Sequence, residues 1–379
     1  MTIELEHAAS QTPVGRTATL VRSEPASNDV VDDALRRQLS TTTAEQRFEL
    51  AGCWIAAAAL SWLVCARLMP WDGTVVFVLV TFVVGVTLIA VITSLDAGRP
   101  EVSDRLVSTV VHSAALLVGV ALASTIIFVL VQGFGGMVHV NTWVDDMSGV
   151  GPRDPLDRGG IAHAIVGSLI EIGIAVAVTI PLGIGTAIYM TEIGGRFGTI
   201  VRTIVEAMTA LPSIVAGLFI YTTLIVGLGM PRSGLAAAMA LSVMMLPIIA
   251  RASDVVLRVV PGNLREASLA LGASRWRTVW HIVLPTARPG LATAVILGVA
   301  RGIGETSPVL LTSGTAAFMV TDPTDGVMNS LPLFIFSTVR SGEPLYIDRA
   351  YAAAAILLLL VLILFVSARL LARPRKGSR

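Results

Sequence analysis

The segment TVVFVLVTFVVGVTLIAVITSL, from Thr74 to Leu95, runs for 22 residues without one charged side chain. About 20 mostly apolar residues are needed for a helix to cross the ~30 Å hydrocarbon core of a bilayer. Buried helices of water-soluble domains are usually shorter and carry a polar face. The segment therefore predicts a transmembrane helix.

Seven further segments are also predicted to be transmembrane helices. Hydrophobic residues make up 54% of the 379 residues, charged residues only 14%, and the mean hydropathy is +0.78. A soluble domain carries roughly 25% charged residues, and a net charge of +1 provides no basic field for nucleic acid. These values exclude a soluble enzyme, a nucleic-acid-binding protein and a disordered scaffold. They predict an all-α polytopic membrane protein with eight spans, at residues 51–68, 74–95, 106–131, 161–190, 204–228, 234–249, 291–311 and 351–371.

The positive charges predict the orientation of these spans. Lysine and arginine concentrate in cytoplasmic loops. With the polar tail of residues 1–50 inside, 20 of the 27 basic residues are cytoplasmic, including the basic tail 373–379. Six lie outside, and Arg301 is the one basic residue that falls well inside a span and not at its end. We therefore expect both termini in the cytoplasm, and, because the first apolar run starts at residue 51, no secretory signal peptide.

The long inside loop, residues 262–286, contains the sequence REASLALGASRWRTVWHIVLP at positions 265–285. Its pattern predicts a short helix, a break at Gly272, and a second short helix that stops before Pro285. Two short amphipathic helices on the cytoplasmic side suit a groove on a partner protein. The alternative from the residues alone is a loop lying on lipid headgroups, with Trp276 and Trp280 as interfacial anchors.

This loop resembles the "EAA" signature of ABC importer permeases. The signature has Glu-Ala-Ala, three residues, Gly, nine residues, Ile, one residue and Leu-Pro. The chain departs from it once, with Ser268 in place of the second alanine. The resemblance implies that the loop is the coupling helix that sits in a cleft of a separate ATPase. The residues implied in this contact are Glu266, Ala267, Gly272, Ile282, Leu284 and Pro285, which match the signature, and Ser268.

Other segments resemble phosphate-import permeases, the PstA family. They lie at residues 181–192, 211–221, 300–308 and 331–336, and the resemblance runs from about Leu106 to the C-terminus. It implies the six-helix type I ABC importer permease core over residues 101–372, with an extra transmembrane hairpin at 51–100. The implied partners are a second, PstC-like permease, a PstB-like ATPase dimer and an extracytoplasmic PstS-like phosphate-binding protein. The outer loops 132–160 and 312–350 would then dock the binding protein.

One span carries a charged pair in its middle. Arg301 lies 11 residues beyond Gly290, about 16 Å along a helix, and Glu305 follows four residues later on the same face. A guanidinium matches two oxygens of a phosphate, and Thr306 and Ser307 add hydroxyl groups nearby. The alternative is a structural ion pair, and the two roles can coexist. The family resemblance favours a substrate path through these four residues.

Two more charged residues leave alternatives open. Arg251 is predicted at the inner end of its span, where it would contact the leaving anion or serve as an ordinary cytoplasmic anchor. Glu171, about 15 Å into its span, would pair with another helix or line the pathway. The glycines and prolines of the spans suit close packing, or kinks that let helices rock.

Several kinds of site are not expected in this chain. A phosphate-binding loop for ATP requires Gly-Lys-Ser/Thr, and the single lysine, Lys376, is followed by Gly377 in the tail. The five histidines show no metal-ligand spacing, and we predict no catalytic residue and no cofactor; Mg-ATP would bind the partner ATPase. The alternatives to phosphate import are an ABC permease for another anion or solute, such as molybdate or sulfate, and a secondary transporter.

Overall fold

A computed structural model describes residues 44–68, 73–96 and 98–371. These ranges contain helices and loops and no β-strand. The predicted tail 373–379 and residues 1–43 of the predicted tail 1–50 lie outside them, whereas residues 44–50 begin the first helix. The all-α prediction is confirmed.

The described ranges contain fourteen α-helices, and π-helical turns extend four of the helical segments. The first seven are α1 Ala44–Leu63, α2 Thr74–Asp96, α3 Arg99–Met137, α4 Asn141–Val144, α5 Ala162–Ile188, α6 Gly195–Thr209 and α7 Ser213–Ile220. The others are α8 Gly234–Val259, α9 Gly262–Ala270, α10 Arg275–Thr278, α11 Leu284–Ile303, α12 Ser307–Thr312, α13 Leu331–Val339 and α14 Pro344–Leu371. The π turns are Val64–Leu68, Tyr189–Ile193, Tyr221–Gly227 and Val279–Val283.

The described residues form two compact units, divided between Val118 and Gly119 inside α3. In the first unit α1 and α2 pack against each other. Trp54 stacks on Phe82 with ring centroids 6.4 Å apart, and its ring covers Gly85, where a Cβ atom would lie 2.7 Å away. The missing side chain at Gly85 therefore lets the Trp54 indole lie between the two helices.

In the second unit α8 is the central helix, and its side chains form the core with α5, α11, α12 and α13. Glycines bring two neighbours close to it. A Cβ at Gly183 of α5 would lie 2.8 Å from Ile249, and one at Gly302 of α11 would lie 2.5 Å from Met245. Small residues at such crossings allow the backbones of transmembrane helices to approach. The packing role predicted for the glycines is confirmed at these positions.

The predicted single span at residues 204–228 is wrong. Two helical segments, Gly195–Thr209 and Ser213–Gly227, replace it and meet at an angle of 106°. Pro212 has extended backbone angles (φ −61°, ψ 139°) at the start of α7. Proline has no N–H to donate, and it also disfavours helical angles in the residue before it, so the helix ends at Thr209.

The bent pair still crosses the bundle once. Arg265 hydrogen-bonds to Glu192 beyond α5 and to Leu257 near the end of α8, so α5 and α8 finish at the same end of the unit. Both also begin at the opposite end: Ser168 accepts from Leu331 N at 2.7 Å, and Ser233 N donates to Thr312 O at 3.2 Å. The chain from 194 to 233 must therefore pass from one end to the other. Seven straight spans and this bent one give the eight predicted crossings in the described ranges.

Other spans also differ from the prediction in their ends: α1 begins at Ala44, α3 runs from Arg99 to Met137, and α14 begins at Pro344. The helix predicted at 234–249 continues through Pro247 to Val259, ten residues further. Asp254, 7% exposed, lies in this extension and forms ion pairs with Arg202 and Arg258, both at 3.2 Å. The helix predicted at 291–311 breaks at residues 304–306, between α11 and α12.

Candidate functional site

The loop 262–286 has the predicted first helix and the predicted break. Helix α9, Gly262–Ala270, ends before Gly272, which has φ +81° and so adopts a conformation that favours glycine. Ser268, the departure from the EAA pattern, is buried, and its hydroxyl lies 2.8 Å from that of Thr278 in α10. This bond joins the two helices across the break.

The second helix does not stop before Pro285, contrary to the prediction. From Arg275 the chain remains helical to Ile303, through α10, the π turn Val279–Val283 and α11. Pro285 lies in the first turn of α11, just after the wider turn. A proline is tolerated in a first turn, where its missing N–H needs no partner within the α-helix. The loop is therefore continuous with a membrane-spanning helix.

The surface of this loop is rich in uncovered apolar side chains. Leu271 is 89% exposed, and Leu264, Leu269, Trp276 and Trp280 are exposed as well. The two tryptophans contact each other edge to face with ring centroids 5.7 Å apart, whereas Val279 and Val283 are buried in the bundle. The matched residues Glu266 and Ala267 are exposed, Ile282 and Leu284 are half-buried, and Pro285 is exposed. This apolar surface suits a protein groove or a membrane surface.

Arg265 anchors α9 to the bundle, and its role was not predicted from the sequence. Its Nε donates to Glu192 Oε1 at 3.1 Å, its Nη1 to Val260 O at 2.7 Å and its Nη2 to Leu257 O at 2.8 Å. The two carbonyls belong to the C-terminal end of α8, where helical carbonyls lack intrahelical donors. The available signal was a pair of opposite charges at helix ends, but Glu192 lies 73 residues away along the chain.

The break between α11 and α12 holds the predicted ionic pair. Arg301 Nε lies 2.8 Å from Glu305 Oε1; the Arg301 side chain is 57% exposed and that of Glu305 only 10%. Within the described residues the two Nη nitrogens of Arg301 make no hydrogen bond. Thr306 and Ser307 are half-buried directly after Glu305. The predicted pairing is confirmed, and the guanidinium keeps two donor nitrogens for another acceptor.

Helix α12 is held in place by close packing against α7. A Cβ atom added to Gly217 would lie 2.6 Å from the Cα of Pro308, the second residue of α12. Backbone atoms cannot rotate away as a side chain can, so the contact fixes the distance between the two helices. The bent span, whose second half is α7, therefore determines where the Arg301–Glu305 break lies.

Arg251 and Glu171 are not joined to this pair by a hydrogen bond or ion pair in the described residues. Arg251 is exposed in the middle of α8 and does not end it, which corrects the prediction. It lies six residues beyond Met245, which packs at Gly302 beside Arg301, so the two arginines are separated by ~9 Å along the axis of α8. Glu171 is 1% exposed, and its Oε1 has no hydrogen-bond partner.

At the opposite end of the unit two of the loops predicted to lie outside are connected. Asp146 accepts from Ser148 N and from Met319 N, both at 3.0 Å, and Met147 N donates to Ala317 O at 2.8 Å. These backbone donors, with that of Ser148 the strongest, lower the pKa of Asp146 from its ordinary value. The segments 145–161 and 313–330 thus form one surface.

Comparisons with known proteins show which family this chain resembles. Residues 179–376, about half of the chain, match the family model of the "Binding-protein-dependent transport system inner membrane component". The chain is also 34% identical over 274 residues to the phosphate transport system permease protein PstA 1 of Mycobacterium tuberculosis, covering 72% of this chain and 90% of that protein. The chain belongs to the PstA family of ABC importer permeases.

Other relatives agree with this assignment. The PstA of Mycobacterium leprae is 36% identical over 264 residues, which cover 69% of this chain and 86% of that protein. A subunit in the crystal structure of a bacterial alginate ABC transporter, in complex with its alginate-loaded periplasmic protein, superposes with a TM-score of 0.50 at 15% identity, covering 72% of this chain and 95% of that subunit. The latter shows a shared fold only.

As a PstA-family permease the chain is a multi-pass inner-membrane component and is not itself an enzyme. ATP hydrolysis belongs to a separate ATPase subunit of such a transporter, and the family also works with a substrate-binding protein. The type I ABC importer permease fold predicted from the sequence is confirmed, and so is the prediction of a permease subunit.

Proposed function

We propose that this permease conducts inorganic phosphate inward and forms one half of the translocation path. The observation that carries the proposal is the Arg301–Glu305 pair at the break between α11 and α12, in a family whose members transport phosphate. The guanidinium is held by one carboxylate and still presents two nitrogens. A phosphate dianion accepts two parallel N–H bonds from such a group.

The pair would work by exchange of anionic partners. With the path empty, Glu305 balances the charge of Arg301, which avoids the cost of a lone charge inside the membrane. When phosphate arrives it competes with Glu305 for the guanidinium, and Thr306 and Ser307 offer hydroxyl donors beside it. Competition keeps binding moderate, so the anion can leave. Arg251, nearer to the coupling loop, is the next cation that the anion would meet.

The exposed apolar surface of loop 262–286 would dock on the ATPase. Leu271 is the most exposed apolar side chain of this surface, and the loop continues directly into α11, which carries Arg301. Closure of the ATPase dimer around ATP would move α9 and α10, and the helical connection through Pro285 would carry that movement to the anion site. We infer alternating access between outward-open and inward-open forms.

The proposed complex contains a PstC-like permease, a PstB-like ATPase dimer that binds Mg-ATP, and a PstS-like phosphate-binding protein. Both termini would lie in the cytoplasm, as the positive-inside rule predicts. The joined outer loops 145–161 and 313–330 would receive the binding protein. Co-purification from membranes of cells that produce all the proposed components identifies these subunits directly.

The substrate path is tested with the assembled complex in proteoliposomes. Phosphate uptake and ATP hydrolysis are measured for the wild type, Arg301→Ala, Arg301→Lys and Glu305→Gln. We expect Arg301→Ala to abolish uptake while the complex still assembles, and Arg301→Lys to retain only part of it, because an ammonium group lacks the bidentate geometry. Normal uptake by Arg301→Ala would remove this residue from the path.

The matched control is Arg105→Ala, which breaks an exposed ion pair with Glu101 (3.5 Å) within α3 and should leave the uptake rate unchanged. Substrate identity is tested separately by competition. Excess sulfate or molybdate should not reduce uptake of labelled phosphate, and uptake of either anion in place of phosphate would assign the permease to another substrate.

A further inference from the structure

Arg265 connects α9 to two elements, α5 and α8, that α9 otherwise meets little. It lies in α9, its carboxylate partner Glu192 lies in the π turn that ends α5, and its two carbonyl partners end α8. Apart from its chain neighbours, α9 packs mainly on α10 and the π turn before α11. In the described residues the Arg265–Glu192 contact, with Nη2 3.0 Å from Oε1, is the ion pair that joins α9 to the transmembrane core.

The geometry uses the whole guanidinium group. Nε donates to Glu192, Nη1 to Val260 O and Nη2 to Leu257 O. The side chains of Arg265 and Glu192 are only 21% and 16% exposed. A lysine could not satisfy three acceptors in fixed directions, because its ammonium is a point charge on a flexible stem. Low exposure limits screening by salt and water. The contact is therefore stiffer than a surface ion pair.

We propose that Arg265 is a positioning residue that transmits movement of the coupling helix α9 to α5 and α8. Movement of the loop can follow two routes into the membrane. One runs along the chain from α10 into α11; the other runs through Arg265 to the ends of α5 and α8. The second route makes α5 and α8 move together with α11, which the first route moves. This inference rests on the proposed coupling of the loop to an ATPase.

The proposal predicts a loss of coupling, with assembly retained. In the complete complex in proteoliposomes, Arg265→Ala should lower the ratio of phosphate transported to ATP hydrolysed by at least about fivefold, the lower end of typical coupling between two sites. ATP hydrolysis should continue, and the ATPase should still co-purify. The transport ratio of Arg265→Lys should lie between those of the wild type and Arg265→Ala, because lysine keeps the positive charge and loses the fixed directions of the guanidinium donors.

The matched control is Arg258→Ala. Arg258 forms an ion pair of 3.2 Å with Asp254, but both residues belong to α8, so its loss removes a similar contact without disconnecting two elements. Its transport ratio should equal that of the wild type. An equal fall in both variants would show a general effect of lost charge at this surface and would overturn the proposal.

A double-mutant comparison tests whether Arg265 and Glu192 act through their shared contact or independently. Glu192→Ala and Arg265→Ala should each lower the ratio, and the double variant should be no worse than Arg265→Ala alone, because both changes break one contact. Additive losses would overturn the proposal. So would a normal ratio for Arg265→Ala in a complex whose wild type is coupled. If the wild type transports no phosphate at all, the proposed substrate fails, and the ratio is measured with the anion that it does transport.

Discussion

Replacement of Gly217 by alanine tests whether the contact between α7 and α12 positions the anion site. The added Cβ would lie 2.6 Å from Pro308 Cα and 3.2 Å from its Cβ and O, whereas ordinary van der Waals contact begins near 3.4 Å. The helices must therefore separate by several tenths of an ångström. Gly173→Ala is the matched change, because an added Cβ there meets nothing within 4 Å.

The comparison cancels the intrinsic effect of the substitution. Alanine is favoured over glycine by about 0.5–1 kcal/mol in a helix, and both sites are helical. Overpacking of a tight contact costs roughly 1–3 kcal/mol. We therefore expect Gly217→Ala to be less stable than Gly173→Ala by about 1–3 kcal/mol, while Gly173→Ala equals or slightly exceeds the wild type.

The assay is thermal unfolding of the purified complex in one detergent, followed by phosphate uptake in proteoliposomes. Gly217→Ala should show a lower unfolding midpoint than Gly173→Ala and a lower uptake rate, because α12 begins directly after Glu305 and Thr306. Equal midpoints for the two variants would refute the packing argument. A lower midpoint with unchanged uptake would retain the contact and refute its connection to the anion site.

Three further predictions concern the loops. Leu271→Asp should leave the unfolding midpoint unchanged but prevent co-purification of the ATPase, because the side chain is 89% exposed; retained binding would place the docking surface elsewhere. Ser268→Ala should speed amide hydrogen exchange in α9, since it removes the hydroxyl contact with Thr278, worth about 0.5–1.5 kcal/mol; unchanged exchange would contradict this. The pKa of Asp146 is lowered in the fold, so its stabilisation is complete above the ordinary carboxyl pKa and fades as the pH falls through the lower value. Proteolysis of segment 313–330 by an acid protease should rise in that acidic range, and Asp146→Asn should flatten the pH dependence.

The spans could be predicted from the sequence because hydrocarbon imposes a length and a composition on any helix that crosses it. The same signal hid the bend before α7. An apolar run looks continuous whether it forms one helix or two, and Pro212 is compatible with a kink as well as with a break. Only the contacts at both ends of the bundle show that the two segments, which meet at 106°, together make one crossing.

The site was predictable where partners are close in the chain and not where they are distant. Glu305 follows Arg301 by four residues, so helical spacing predicts their pairing. The partners of Arg265 lie 73, eight and five residues away on two other elements. No local pattern specifies such a contact, because it depends on how α5 and α8 finish together, which is a property of the folded bundle.

The state of the charged groups indicates why one chain supplies only part of a path. Asp254 in α8 is 7% exposed and contacts two arginines, so its charge is balanced within this subunit. Arg301 is also paired, yet 57% of its side chain remains uncovered, and in the described residues nothing else of this chain contacts its Nη nitrogens. A half-paired cation is costly against lipid but suitable at a surface where an anion or a second permease completes its coordination. A balanced pair at Asp254 and a partly uncovered cation at Arg301 are what we expect if the proposed path lies between this chain and a second permease.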